Sequence, residues 1–275
     1  MPQSGWLMKQ CAFKALRKVF LITSGVLSIL SFPIDGQAKN DWEKLQSTHF
    51  IIYYKEAPLD FVQGVEKAAE QYYGEIADNL GYTRYESWTY DKRAKIYIYN
   101  DQEDYVVSAR QFKWSHGSAS VKTKEIRTFP SAHGFFDSTL PHELGHIIFR
   151  EFIGFSGQVP GWMDEGVAMY QEKAKRWGAN KAVKQAIAAK KFMPLHELTY
   201  MTLYSETPQE TVDLFYSEAA SVTYYIITEL GKVRFGYFCE KLKQGSSLDN
   251  ALNYAFPRIK DLDALNKAWL EYLKE

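Results

Sequence analysis

The chain has 275 residues, enough for one large domain or two closely packed lobes. Its 33 basic and 33 acidic residues cancel, which removes any global field favouring nucleic acid or an anionic membrane, and leaves only local patches to consider. A content of 46% hydrophobic and 24% charged residues suits a folded domain, and the 19 tyrosines fit a packed core better than a dedicated polymer-binding groove.

The first forty residues read as an export signal. Lys9, Lys14, Arg17 and Lys18 form a positive start, and the apolar run over 19–32 is too short for a comfortable membrane span. Gly36-Gln37-Ala38 then presents small residues at the two positions a signal peptidase reads. The expected division is a signal over 1–38 and a secreted or periplasmic domain over 39–275. The alternative is an uncleaved anchor, the only route by which a membrane enters this reading. Cys11 falls within the signal, so Cys239 stands alone in an apolar helical pattern, where a buried inert thiol is expected.

After the signal, residues 49–54 (HFIIYY) read as a strand, and 58–80 as a helix whose apolar residues share one face, with Gly81 as its stop. Residues 94–99 alternate like a strand, 102–109 suit a short helix, and 116–128 an edge strand or hairpin. From Thr139, an expected N-cap, with Pro141 in the first turn, a helix is predicted to about residue 153. A turn-rich break over 154–161 separates it from a helix beginning near Trp162, which is expected to pack behind the site. Further helices are predicted over 179–190, 215–230, 232–243, 247–254 and 261–274. The fold class is α+β: a sheet-containing lobe over 39–156, a helical lobe over 157–275, and a cleft between them.

His142-Glu143-Leu144-Gly145-His146 is the decisive feature. Helix positions four apart share a face, so both imidazoles can reach one zinc ion, and Glu143 can reach a water beside it. The carboxylate would take that water's proton during attack and return it to a leaving amine. A third ligand should come from a neighbouring element, and Asp164 and Glu165 both lie within range; spacing alone does not separate them. His133 reads as a solvated loop residue, the Lys173–Arg176 run as a solvated helix end, and no G-x-S-x-G points to a serine nucleophile.

These motifs resemble the gluzincin metallopeptidases, above all the thermolysin-like catalytic domain of M1 aminopeptidases, which combines H-E-x-x-H, eighteen intervening residues and a glutamate in a W-x-x-E-G-x-A setting. By that resemblance Glu165, in Trp162-Met163-Asp164-Glu165-Gly166-Val167-Ala168, is the third ligand, and Asp164 a flanking residue behind the ligands or in solvent. Phe215 to Val222 resembles the segment whose tyrosine steadies the oxyanion, which implies that role for Tyr216, with Tyr224 and Tyr225 as alternatives. Glu218 and Ala219 depart from the usual Lys and Gly. The G-x-M-E-N strand that grips a free amino terminus is also missing: Gly117 to Val121 carries no glutamate. The resemblance therefore favours an endopeptidase over an aminopeptidase, close to the small peptidase MA-like domains of exported proteins. It implies one Zn2+ and a peptide or protein substrate, without nucleic acid. A scaffold domain that keeps the metal but turns over little, and a hydrolase of non-peptide amides, are the other readings. Nothing in the sequence specifies an oligomeric state.

Overall fold

The computed structural model describes residues 42–82, 88–110, 116–130, 134–154, 159–172, 178–204 and 206–275. The export signal with Cys11, His133 and the Lys173–Arg176 run lie outside them. Residues Asp41–Glu275 gather into one compact unit. Among the described residues no helix is long and apolar enough to cross a membrane.

Five strands form one mixed sheet in the order β1-β2-β3-β5-β4: β1 (Glu43–Gln46), β2 (Phe50–Tyr54), β3 (Ala94–Ile98), β4 (Gly117–Ser120) and β5 (Glu125–Thr128). The β2, β3 and β5 strands are parallel, while β1 and β4 are antiparallel edges. The parallel β2–β3 pair needs a long crossover, which α1 (Leu59–Asn79) supplies. Phe50, Ile52, Ala94, Ile96, Ile98 and Ile126 are buried on the inner side of the strands, where period-two alternation put them. On α1, Val62, Val65, Ala69, Tyr72 and Ile76 are buried, and Gly81 follows at φ +72. A Cβ there would sit 2.1 Å from the Lys232 carbonyl oxygen, so the stop is also a packing contact that only glycine permits.

The 116–128 segment is a hairpin, as expected, but only β4 lies at an edge; β5 is paired on both sides. Strand β1 was missed because Glu43, Lys44 and Gln46 leave it almost no apolar signal. Helix α2 (Gln102–Ser108) is capped by Asp101, whose side chain accepts from the Asp104 amide.

From residue 134 the chain is helical. A wide π-helical turn, Phe135–Thr139, runs directly into α3 (Leu140–Ile153). The Thr139 N-cap expectation is therefore corrected: Thr139 is already helical and its side chain makes no cap bond. Both the Ser138 and Thr139 amides donate to the Gly134 oxygen, so the true start lies five residues earlier. Pro141 does sit in the first turn of α3, one turn past the true start of the continuous helix.

Helices α4 (Gly161–Gln171), α5 (Ala179–Ala188), α6 (Leu195–Tyr200), α7 (Gln209–Tyr224), α8 (Lys232–Lys243), α9 (Leu248–Ala255) and α10 (Leu262–Tyr272) complete the fold. Helix α7 begins six residues earlier than its apolar pattern implied, after Pro208, because its first turns (QETVDL) are polar. It ends in a second π-helical turn, Tyr225–Glu229. The short α6 was not anticipated; it receives the fully buried Trp162, whose indole N–H donates to Thr199 Oγ1 at 3.0 Å. Cys239 is buried in α8, and burial pushes its thiol far above the usual range, which fits an inert thiol.

Candidate metal centre

His142 and His146 stand one turn apart on α3, with ring centroids 4.8 Å apart and the two Nε2 atoms separated by 3.1 Å. Helix α4 returns after the 154–160 break and brings Glu165, whose Oε2 lies 3.8 Å from His142 Nε2 and 3.6 Å from His146 Nε2. The three donor atoms lie within 4.8 Å of one another. A point equidistant from them lies about 2 Å from each, the length of a zinc bond to imidazole nitrogen or carboxylate oxygen. Two imidazoles and one carboxylate are also a donor set suited to zinc. The residues fit one ion.

Two glycines let the helices come this close. A Cβ on Gly145 would sit 3.0 Å from Ala168 Cα, so the glycine inside the H-E-L-G-H motif sets the α3–α4 distance. A Cβ on Gly166 would lie 2.1 Å from Thr223 Oγ1 and 2.4 Å from the Ala219 oxygen, so Gly166 does the same for α4 and α7. Replacing Gly166 with Ala is therefore expected to destabilise the fold by about 1–3 kcal/mol through overpacking, read as a lowered denaturation midpoint. An unchanged midpoint would refute the close approach.

Each imidazole is held from behind. His146 Nδ1 lies 3.3 Å from Asp164 Oδ1, and Arg150 donates to the other Asp164 oxygen at 2.9 Å. His142 Nδ1 lies 2.8 Å from Glu172 Oε1, while Ser138 Oγ donates to Glu172 Oε2. With Nδ1–H donating to a carboxylate, each Nε2 keeps its lone pair for an ion. Asp164 thus stands behind the His146 imidazole rather than in open solvent. Burial works against its charge, yet His146 and Arg150 hold its carboxyl below the usual range. Burial equally disfavours a charged His146, but Asp164, Glu165 and Glu143 outweigh it and raise His146 to about 8, so a proton and a cation compete for this ring.

Sequence reading missed Glu172, Ser138 and Arg150. Glu172 is 1% exposed, a rare placement for a carboxylate. The available signal was its position seven residues, about two helical turns, after Glu165, although it stands one residue past the end of α4.

Glu143 sits in the first turn of α3 and is partly buried. Burial raises its proton affinity above that of an ordinary glutamate, with His142 and His146 opposing and Glu165 and Glu172 adding to the rise. Tyr216, on α7, is pushed up to about 12 by burial and then by the charges of Glu165 and Glu143, so its phenol stays protonated beside them. Tyr224 instead packs near Tyr170, and Tyr225 against Tyr272. Of the three tyrosines weighed, Tyr216 is the one whose charge neighbours are site residues. Glu218, which stands where the resemblance has a lysine, is fully buried; its Oε1 accepts the Met193 amide at 2.9 Å and its Oε2 has no partner. Burial pushes it up to about 8.

The remaining described histidines lie elsewhere: His49 pairs with Glu70 at 2.6 Å and stacks on Tyr73, while His116 and His196 rest against Phe129 and Tyr200. Strand β4 runs beside the start of the site helix, where Gly117 faces Thr139, and its residues Gly117 to Ser120 are all half-buried.

A search of curated proteins finds no match to the chain. The family model of the Peptidase MA superfamily, however, matches residues 86–275, a stretch that contains every residue of the triad and its supporting carboxylates. The chain belongs to the Peptidase MA superfamily.

Proposed function

We propose that the chain is a zinc-dependent peptidase acting on internal peptide bonds outside the cytoplasm. The observation that carries this reading is the convergence of His142 Nε2, His146 Nε2 and Glu165 Oε2, with both imidazoles oriented from behind by buried or half-buried carboxylates. When bound, zinc supplies Lewis acidity, polarising a carbonyl and making water a better nucleophile near neutral pH.

The protein's own groups do the rest. Glu143 accepts the proton of the attacking water and hands it to the departing amine, and its raised proton affinity suits both transfers. Tyr216 donates its phenolic hydrogen to the oxyanion as the carbonyl is attacked, a role that needs a phenol which does not ionise. Replacing Tyr216 with Phe is expected to lower kcat by about 10²-fold with little change in KM. A variant with full kcat would remove Tyr216 from the reaction. The edge position of β4 in the sheet supports an extended substrate pairing by backbone hydrogen bonds, and the sequence over 117–121 holds no carboxylate to grip an amino terminus. That combination favours internal cleavage.

Metal analysis of the purified protein, combined with cleavage of a peptide library before and after chelation, tests the reading. About one zinc per chain is expected, with internal cleavage lost on chelation and restored by zinc. A metal-free protein, or cleavage indifferent to chelator, would sink it. Export is checked by sequencing the amino terminus of the mature chain, expected at Lys39.

A further inference from the structure

Helices α5 and α10 are tied together where the side chain of Asn180, at the start of α5, donates to the Tyr272 hydroxyl at the end of α10, 3.0 Å away. The same two helices bound an open groove of about 550 Å³. Its apolar lining includes Ile187 from α5, Leu270 from α10 and Leu273 just past the end of α10, and Ile187 is 37% exposed. Lys184 stands on one side, and Lys267 and Lys274 on the other. The single acid lining the groove, Glu271, is engaged by Lys274 at 2.7 Å.

The cationic character is not the ordinary mixture of a solvated helix. Between Gly178 and His196 the sequence holds Lys181, Lys184, Lys190 and Lys191 and no acid, in a chain whose charges cancel overall. Lys191 reaches Glu210, but among the described residues Lys184 has no ion pair. An apolar strip between two helices, with lysines on both rims, matches the side of an amphipathic helix that carries carboxylates flanking its apolar residues. We propose that the α5–α10 groove is a docking site for an acidic amphipathic helical segment of a partner protein.

Two features select this occupant. The chain's own amino-terminal stretch is basic, with Lys9, Lys14, Arg17 and Lys18, and would be repelled by the rims. An anionic bilayer would need several apolar side chains projecting above the lysines, whereas of the three large apolar residues here only Ile187 is exposed, Leu270 being half-buried and Leu273 only 4% exposed. No residue of the metal triad lines the groove, so this inference stands apart from the peptidase reading.

The test uses the full chain and a fluorescent helical peptide with leucines on one face and glutamates flanking them, alongside the same peptide with lysines replacing the glutamates. Anisotropy is followed at low and high salt, with mass spectrometry checking that the probes stay intact. Saturable binding of the acidic probe is expected, weakened by salt. It should fall about tenfold or more in the double variant Lys184→Glu, Lys267→Glu, and likewise in Ile187→Glu. These are exposed positions, and circular dichroism and thermal melting verify that the variants fold. Equal binding of both probes, or binding unaffected by the variants, would overturn the proposal. So would a failure to bind either probe, saturable binding only to anionic vesicles, or self-association of the chain that Ile187→Glu abolishes.

Discussion

Glu143→Gln is expected to lower kcat by about 10²–10⁴-fold while the zinc content of the protein stays the same. Glutamine keeps the size and one hydrogen-bonding oxygen of glutamate but cannot accept a proton. Glu143 is not one of the three converging donors, so the ion should still bind. Its partly buried place in the first turn of α3 raises its proton affinity, which suits a group that must take a proton and release it within one turnover. The contrast between unchanged metal and lost turnover is the discriminating result. A wild-type protein without cleavage would favour the scaffold reading, and a variant as active as the wild type would move the proton transfer to another group. Measuring kcat and zinc stoichiometry on the same samples separates these outcomes.

The convergence of the two imidazoles was legible in the sequence because helix geometry makes the i, i+4 pair a spatial statement before any fold is known. His142 and His146 meet for that reason alone. Choosing Glu165 over Asp164 needed the resemblance, since both sat at a sensible distance; in the structure Glu165 faces the two Nε2 atoms, while Asp164 turns towards the back of His146 and Arg150. Glu172 was illegible for a physical reason: a charged residue near the end of a helix is usually solvated, and only tertiary burial beneath His142 and Ser138 marks it out. The helical elements with strong apolar faces, α1, α9 and α10, fell almost where their patterns put them. The polar start of α7, the short α6 and the π-helical entry to α3 did not, because each owes its place to packing and backbone bonding rather than to a periodic apolar face. Gly145 and Gly166 were visible as letters of two motifs, but their use as points of helix contact appears only when α3, α4 and α7 are seen together.

Glu172→Gln is expected to weaken zinc binding by about 10–100-fold, measured by competition with a chromophoric chelator. The carboxylate does two things for His142. It accepts the Nδ1 hydrogen, which fixes the tautomer that leaves Nε2 free, and its negative charge strengthens that nitrogen as a donor. Glutamine can still accept through its amide oxygen, so the ring can hold its orientation, but the charge is gone. Ser138→Ala should cost less, because it removes only the hydroxyl that steadies the other oxygen. The carboxylate then stays buried with one partner fewer, which is a penalty on stability more than on the metal. If Glu172 acts through His142 rather than on substrate, saturating zinc should restore most of the variant's turnover, and KM should stay near the wild-type value. A variant that binds zinc as tightly as the wild type would show that His142 is held by the walls of its pocket and not by this carboxylate. A variant that stays slow at full zinc occupancy would place Glu172 in the reaction itself.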